Sequence, residues 1–149
     1  MGNRAVITAS KSEHVEETYD IGVYLHWNGG RDSVEAFLKY CELQGFRPPS
    51  ADCYGYAMLC QVIANFFSDG SGGLSVGVDS CCRLDCDNFD NGVYIIQGWK
   101  IVGRKFFSGF EQNEYDLFDF LLEIDKRQPE EMQLGEERIR AALGMECSE

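Results

Sequence analysis

Residues 21–38 read IGVYLHWNGGRDSVEAFL, and this stretch constrains the fold more than any other part of the chain. Ile21–Trp27 is apolar and β-prone, the pattern of a central strand. Asn28-Gly29-Gly30 is a turn cluster that ends it. Asp32 stands three residues before Glu35, the spacing of a capping box, so a helix is predicted to start there. Val34, Phe37, Leu38 and Cys41 follow at helical spacing, and Gly45 with Pro48-Pro49 stops the helix. A strand, a tight turn and a helix must therefore pack as one unit.

The rest of the chain has to be arranged around that unit. Arg4–Thr8 reads as a short strand and Ala9–Asp20 as a polar loop. Ser50 or Asp52 can cap a second helix reaching about Phe67. Its apolar residues cover nearly the whole circumference, so burial on most sides is expected. Gln61 and Asn65 are amides within it, and buried amides need partners, from a ligand or from the backbone. Asp69–Gly73 reads as a flexible loop and Leu74–Val78 as a strand. Asp85–Gly92 is an acidic turn-rich loop. Val93–Phe107 reads as two strands or one bent strand, with a tight turn at Gln97-Gly98. Glu114–Lys126 is an amphipathic helix, and Pro129 opens a last polar helix to about Leu143. Strands at both ends with helices between them point to an α+β domain. The expected sheet has about five strands, mostly antiparallel, with two central helices and a C-terminal helical segment. At 149 residues the chain is expected to form one domain over 1–149.

Charge and cysteine content exclude several functions. The formal charge is −12, from 25 acidic and 13 basic residues. Residues 111–149 alone hold 12 acidic and 4 basic residues. Direct nucleic-acid binding needs clustered Lys and Arg and is not expected. The acidic segment reads either as a solvated face or as a surface offered to a basic partner. No apolar run reaches the ~20 residues of a membrane span, and Met1–Ser10 has no apolar leader core, so a cytoplasmic protein without a membrane partner is expected. Seven cysteines, an odd number, agree with a reducing compartment. Cys81, Cys82 and Cys86 cluster without a nearby His or a paired Cys-x-x-Cys, which is poor zinc spacing. In the Asp85–Gly92 loop, Phe89 stands where a calcium loop needs an oxygen ligand.

Chemistry is best placed at the strand–turn–helix junction. Amides at a helix N-terminus, with the helix dipole, suit an anion. Arg31 can add a bidentate clamp on phosphate or carboxylate, and Tyr24 and Trp27 can offer flat faces to a base or ribose. The candidate ligand site is Tyr24, His26, Trp27, Asn28, Gly29, Gly30, Arg31 and Asp32. The alternative is purely structural: the glycines make the turn, Asp32 caps the helix and Trp27 is core. The turn is neither G-x-G-x-x-G nor a P-loop, so nucleotide hydrolysis of that kind is excluded and no cofactor is expected. As a general base, His26 would need a partner such as Asp32, Asp52 or Asp79. His14 reads as solvated.

The segments G-N-R-A-V-I at 2–7, GVYLHWNGGRDSV at 22–34, Y-G-Y-A at 54–57, N-F-F at 65–67 and D-N-G to G-W at 90–99 carry a resemblance. Together they resemble an uncharacterised family of small acidic proteins of Gram-positive bacteria, their phages and other mobile elements. The resemblance spans roughly residues 2–126 and brings no catalytic roles. By analogy it implies an accessory factor that blunts host defence. The expectation is a non-enzymatic phage or mobile-element protein, cytoplasmic in its host, that sequesters a small anionic, nucleotide-derived ligand at the 27–32 turn. Such a site is often completed by a second subunit, so a homo-oligomer is expected. The alternative is an acidic inhibitor that covers the basic surface of a host defence nuclease. A small hydrolase using His26 or a cysteine is the third possibility.

Overall fold

The computed structural model describes residues 2–10, 21–49, 53–68 and 76–145. The expectations for the 11–20 loop, for Ser50 and Asp52 as caps, for His14 and for the 69–73 loop lie outside the described residues. The chain is α+β. Among the described residues, five strands form a single sheet: β1 Ala5–Ala9, β2 Ile21–Leu25, β3 Val76–Ser80, β4 Val93–Gln97 and β5 Lys100–Lys105. The helices are α1 Arg31–Leu43, α2 Tyr54–Phe66, α3 Leu117–Lys126 and α4 Glu136–Ala142. The strand order is β3-β2-β1-β4-β5. Three neighbouring pairs are antiparallel, and β1–β4 is parallel with Val6 opposite Val93.

Strand β1 lies at the centre and all five of its residues are buried. Its alternate residues face opposite ways. Ala5, Ile7 and Ala9 join Val23, Leu25, Tyr94 and Ile96 in the core under the helices. Val6 joins Val93 and Ile95 in a smaller cluster with Tyr24, Leu84 and Cys86. That burial on both faces explains a strand with no polar alternation. Helix α1 packs against α2, α3 and β5. Its buried residues include the expected Val34, Phe37, Leu38 and Cys41. Gly45 closes it with φ of 79°, a left-handed value that favours glycine.

Several boundaries differ from the sequence reading. Helix α1 starts at Arg31 with Gly30 as N-cap, so Asp32 is not the cap; its Oδ1 accepts from the adjacent Ser33 N–H at 2.8 Å. In α2, Ala57 and Gln61 are exposed, so the helix is not covered all round. Asn65 donates to Gln128 Oε1 at 2.9 Å, and buried Gln128 bonds the carbonyls of Val62 and Ile124. The last polar helix is divided: Pro129 starts a short 3-10 turn at Glu130–Met132, and α4 begins only at Glu136. The cause is Asp125. It is buried, accepts the Tyr40 hydroxyl at 2.6 Å, and collects the amides of Leu134 and Gly135 at 2.8 and 3.0 Å. Among the described residues, no helix is long and apolar enough to cross a membrane.

Candidate functional site

The turn after β2 is built by Asn28 and Gly29 in different ways. Asn28 takes a left-handed φ of 59°, which asparagine tolerates better than most residues. Gly29 is needed for closeness. Its amide donates to Asn3 O at 2.8 Å, and a Cβ there would stand 2.5 Å from that oxygen and 2.8 Å from Ala5 Cβ. Its carbonyl accepts the buried Tyr94 hydroxyl at 2.7 Å. The turn is thus fastened to the residues that lead into β1 and to β4. Gly30 offers no side-chain cap, so the start of α1 is left to other acceptors. One is Gln112, whose Oε1 accepts from Asp32 N–H at 3.2 Å.

A cavity of about 410 Å³ opens beside this helix start. Gly30, Arg31 and Asp32 form one wall, Tyr94 and Arg104 the next, and Phe107 with Glu111 and Gln112 the third. Arg31 and Arg104 converge on one carboxylate. Arg31 Nη1 stands 3.3 Å from Glu111 Oε2, and Arg104 Nη1 bonds Glu111 Oε1. Arg31 also donates to Glu35 at 2.8 Å, one helical turn on. Burial works against the charge of Arg31, but its bonds to Glu35 and Glu111 outweigh this and raise its pKa. The Arg104 guanidinium lies between two rings, 3.8 Å from the centre of Tyr94 and 3.9 Å from that of Phe107. Such contacts hold the guanidinium plane by cation–π attraction. Its Nη2 donates to Asn91 O, and its buried Nε meets no acceptor among the described residues. No family model, curated protein or solved structure matches the chain. The chemistry of the site therefore rests on its own side chains.

Of the eight residues expected from the sequence, Gly30, Arg31 and Asp32 line the cavity. Gly29 and Asn28 support it from behind; Asn28 Nδ2 donates to Ser33 Oγ at 3.3 Å. Tyr24, His26 and Trp27 lie elsewhere. Tyr24 packs in the small cluster on the opposite sheet face and bonds His26 Nδ1 at 2.9 Å. Trp27 is 46% exposed, edge-on to His26, so it is neither core nor a stacking wall of this cavity. The carboxylates considered for His26 bond elsewhere: Asp32 to Ser33 N–H and Asp79 to Ser80 N–H, while Asp52 lies outside the described residues. Sequence reading missed Tyr94, Arg104, Phe107 and Glu111.

Other candidate chemistry is placed as follows. Among the described residues, no group of three or more His, Cys, Asp or Glu could hold a metal ion. In the 85–92 loop, buried Asn88 accepts three backbone amides, and Asp85 and Asp90 bond Arg4. Burial pushes the Cys60 thiol up to about 11 and the Cys41 thiol higher still, the opposite of an activated nucleophile. A second cavity of about 400 Å³, between α1, β5 and α3, is lined by Leu38, Trp99, Ile101 and Leu117, with Lys39 already paired to Glu42. Among the described residues, the cavity at Arg31 and Arg104 alone combines paired guanidiniums, a helix start and aromatic faces.

Proposed function

We propose that this chain binds and sequesters a small anionic, nucleotide-derived ligand in the cavity between Arg31 and Arg104. The reading is that of a phage or mobile-element anti-defence protein that holds its ligand without transforming it. One observation carries it: two arginines converge on a single carboxylate in a cavity that also holds the start of α1 and the rings of Tyr94 and Phe107. Guanidinium pairs and helix N-termini both favour phosphate oxygens, and the rings favour a base or ribose. The described lining residues hold no thiol, hydroxyl or imidazole except the Tyr94 phenol, whose pKa burial raises. The lining carboxylates are already engaged, Asp32 by the Ser33 amide and Glu111 by the two arginines, which favours retention over turnover.

A thermal-shift panel of cyclic di- and oligonucleotides, ADP-ribose derivatives and simple nucleotides tests the proposal. A ligand at 100-fold over its Kd stabilises by about 2.7 kcal/mol. One compound should shift the wild type, come back unchanged, and shift a folded Arg31→Ala variant by no more than about half as much. A second reading, an acidic inhibitor of a host defence nuclease, draws on the exposed Asp119, Glu123, Glu130, Glu131, Glu136 and Glu137 of the C-terminal segment. A flat panel, with inhibition of a basic partner that weakens steeply with salt, decides for it.

A further inference from the structure

The two adjacent residues Glu111 and Gln112 supply oxygen to both halves of this anion site. The Glu111 carboxylate bridges Arg31 and Arg104, and Gln112 Oε1 takes the Asp32 amide at the start of α1. Both sit in residues 106–116, which join β5 to α3 without forming strand or helix. Glu111 is 38% exposed, whereas the side chains it bridges are 24% and 12% exposed. Next to it, Phe110 is fully exposed and makes no core contact that would hold the segment down. One further tie is Tyr115, whose hydroxyl donates to Glu35.

We propose that Glu111 and Gln112 are a built-in stand-in for the ligand, and that binding requires them to leave. The inference rests on the sequestering function argued above and names how the site is regulated. The seat survives their departure because neither arginine depends on Glu111 for its position. Arg31 stays paired to Glu35, and Arg104 stays between Tyr94 and Phe107 with Asn91 O as acceptor. With Glu111 in place, the guanidiniums of Arg31 and Arg104 face three carboxylates, those of Asp32, Glu35 and Glu111. Its departure removes the one carboxylate that both arginines share and opens that position to another anionic group. A protein whose competent state is only a fraction of the population binds more weakly by that fraction. Removing the stand-in must therefore tighten binding.

The probes are inorganic phosphate and AMP, titrated while the Nε–Hε signals of Arg31 and Arg104 are followed by NMR. Glu111→Gln should bind AMP at least tenfold more tightly than wild type. Gln112→Ala, which leaves every charge in place, should also gain several-fold. Glu35→Gln removes the same charge from beside Arg31 without freeing the seat, and should gain less than threefold. Equal gains for Glu111→Gln and Glu35→Gln reduce the effect to general charge and overturn the stand-in. Unchanged affinity in Glu111→Gln and Gln112→Ala, with wild type still binding, overturns it while leaving sequestration standing. Undisturbed arginine signals in all four proteins, for both probes, overturn the seat and the sequestering function together.

Discussion

Replacing Gly29 by Ala tests how the site is built, because the same change elsewhere has the opposite sign. At Gly29 a Cβ would lie 2.5 Å from Asn3 O, 2.8 Å from Ala5 Cβ and 2.9 Å from the Arg4 carbonyl carbon. Two of these are backbone atoms, fixed by the Gly29–Asn3 hydrogen bond and by β1. Neither can rotate away, so the turn must shift. Overpacking of this kind costs about 1–3 kcal/mol. The shift also pulls the Gly29 carbonyl from the Tyr94 hydroxyl, and a buried hydrogen bond left unmade costs about 1–3 kcal/mol. The two losses overlap, so the expected total is about 2–4 kcal/mol. At Gly77 in β3, nothing lies within 4 Å of the added carbon and φ is not left-handed. Gly77→Ala should stabilise by about 0.4–1 kcal/mol, through lost freedom in the unfolded chain. Urea denaturation of both variants, compared with wild type by midpoint at constant slope, measures the two values. Gly29→Ala within 0.5 kcal/mol of wild type, or two effects of the same sign, refutes the close approach.

Further predictions follow from the same contacts. Asp125→Asn sets an amide N–H against the Leu134 or Gly135 N–H and should cost about 1–3 kcal/mol in urea denaturation; an unchanged midpoint contradicts Asp125 as the organiser of α4. The bonds from Arg4 to Asp90 hold that carboxyl below its ordinary value of 3.8, so the stability it contributes is present above that value and lost as pH falls through the depressed one. NMR carboxyl titration should show the lowered midpoint in wild type and its return toward 3.8 in Arg4→Met. Exposed Cys53 and Cys82 should react with a thiol reagent well before Cys41 in the native protein, read by mass spectrometry of the labelled peptides. Early labelling of Cys41 would contradict its place in the core.

The legible parts of the fold are those where local pattern and tertiary packing agree. The strand–turn–helix unit at 21–43 was legible because an apolar β-prone run, a turn cluster and helical spacing follow one another without conflict. The hairpin of β4 and β5 was legible in part: two strands or one bent strand were open, and the turn falls one residue later than Gln97-Gly98, at Gly98-Trp99. The half of the site on β4 and β5 was not. Carrying the register outward from Gln97 opposite Lys100 would set Gly103 against Tyr94. A bulge between Ile95 and Ile96 adds Val102 on the other strand and moves Arg104 there instead. Without that one-residue slip, the arginine has no visible reason to meet the ring. Trp27 misled for a related reason: its ring follows the last residue of β2 and turns outward with His26, away from the helix start. The parallel pairing of β1 and β4 brings Asn3 and Asn91 together across the whole middle of the chain, and no local pattern reports it. The divided C-terminal helix depends on one buried carboxylate, whose burial comes from packing against Tyr40.

The central claim is that Arg31 and Arg104 together hold an anion. The direct measurement is calorimetric titration of AMP, and of a cyclic dinucleotide, into wild type, Arg31→Ala and Arg104→Lys, each first shown to be folded by its near-UV spectrum. Hydrogen bonds to charged groups contribute about 1.5–3 kcal/mol, so either substitution should weaken binding roughly 10- to 150-fold. Arg104→Lys should do so although the charge is kept, because the fork and the ring stacking are lost. Affinities unchanged from wild type in both variants contradict the account.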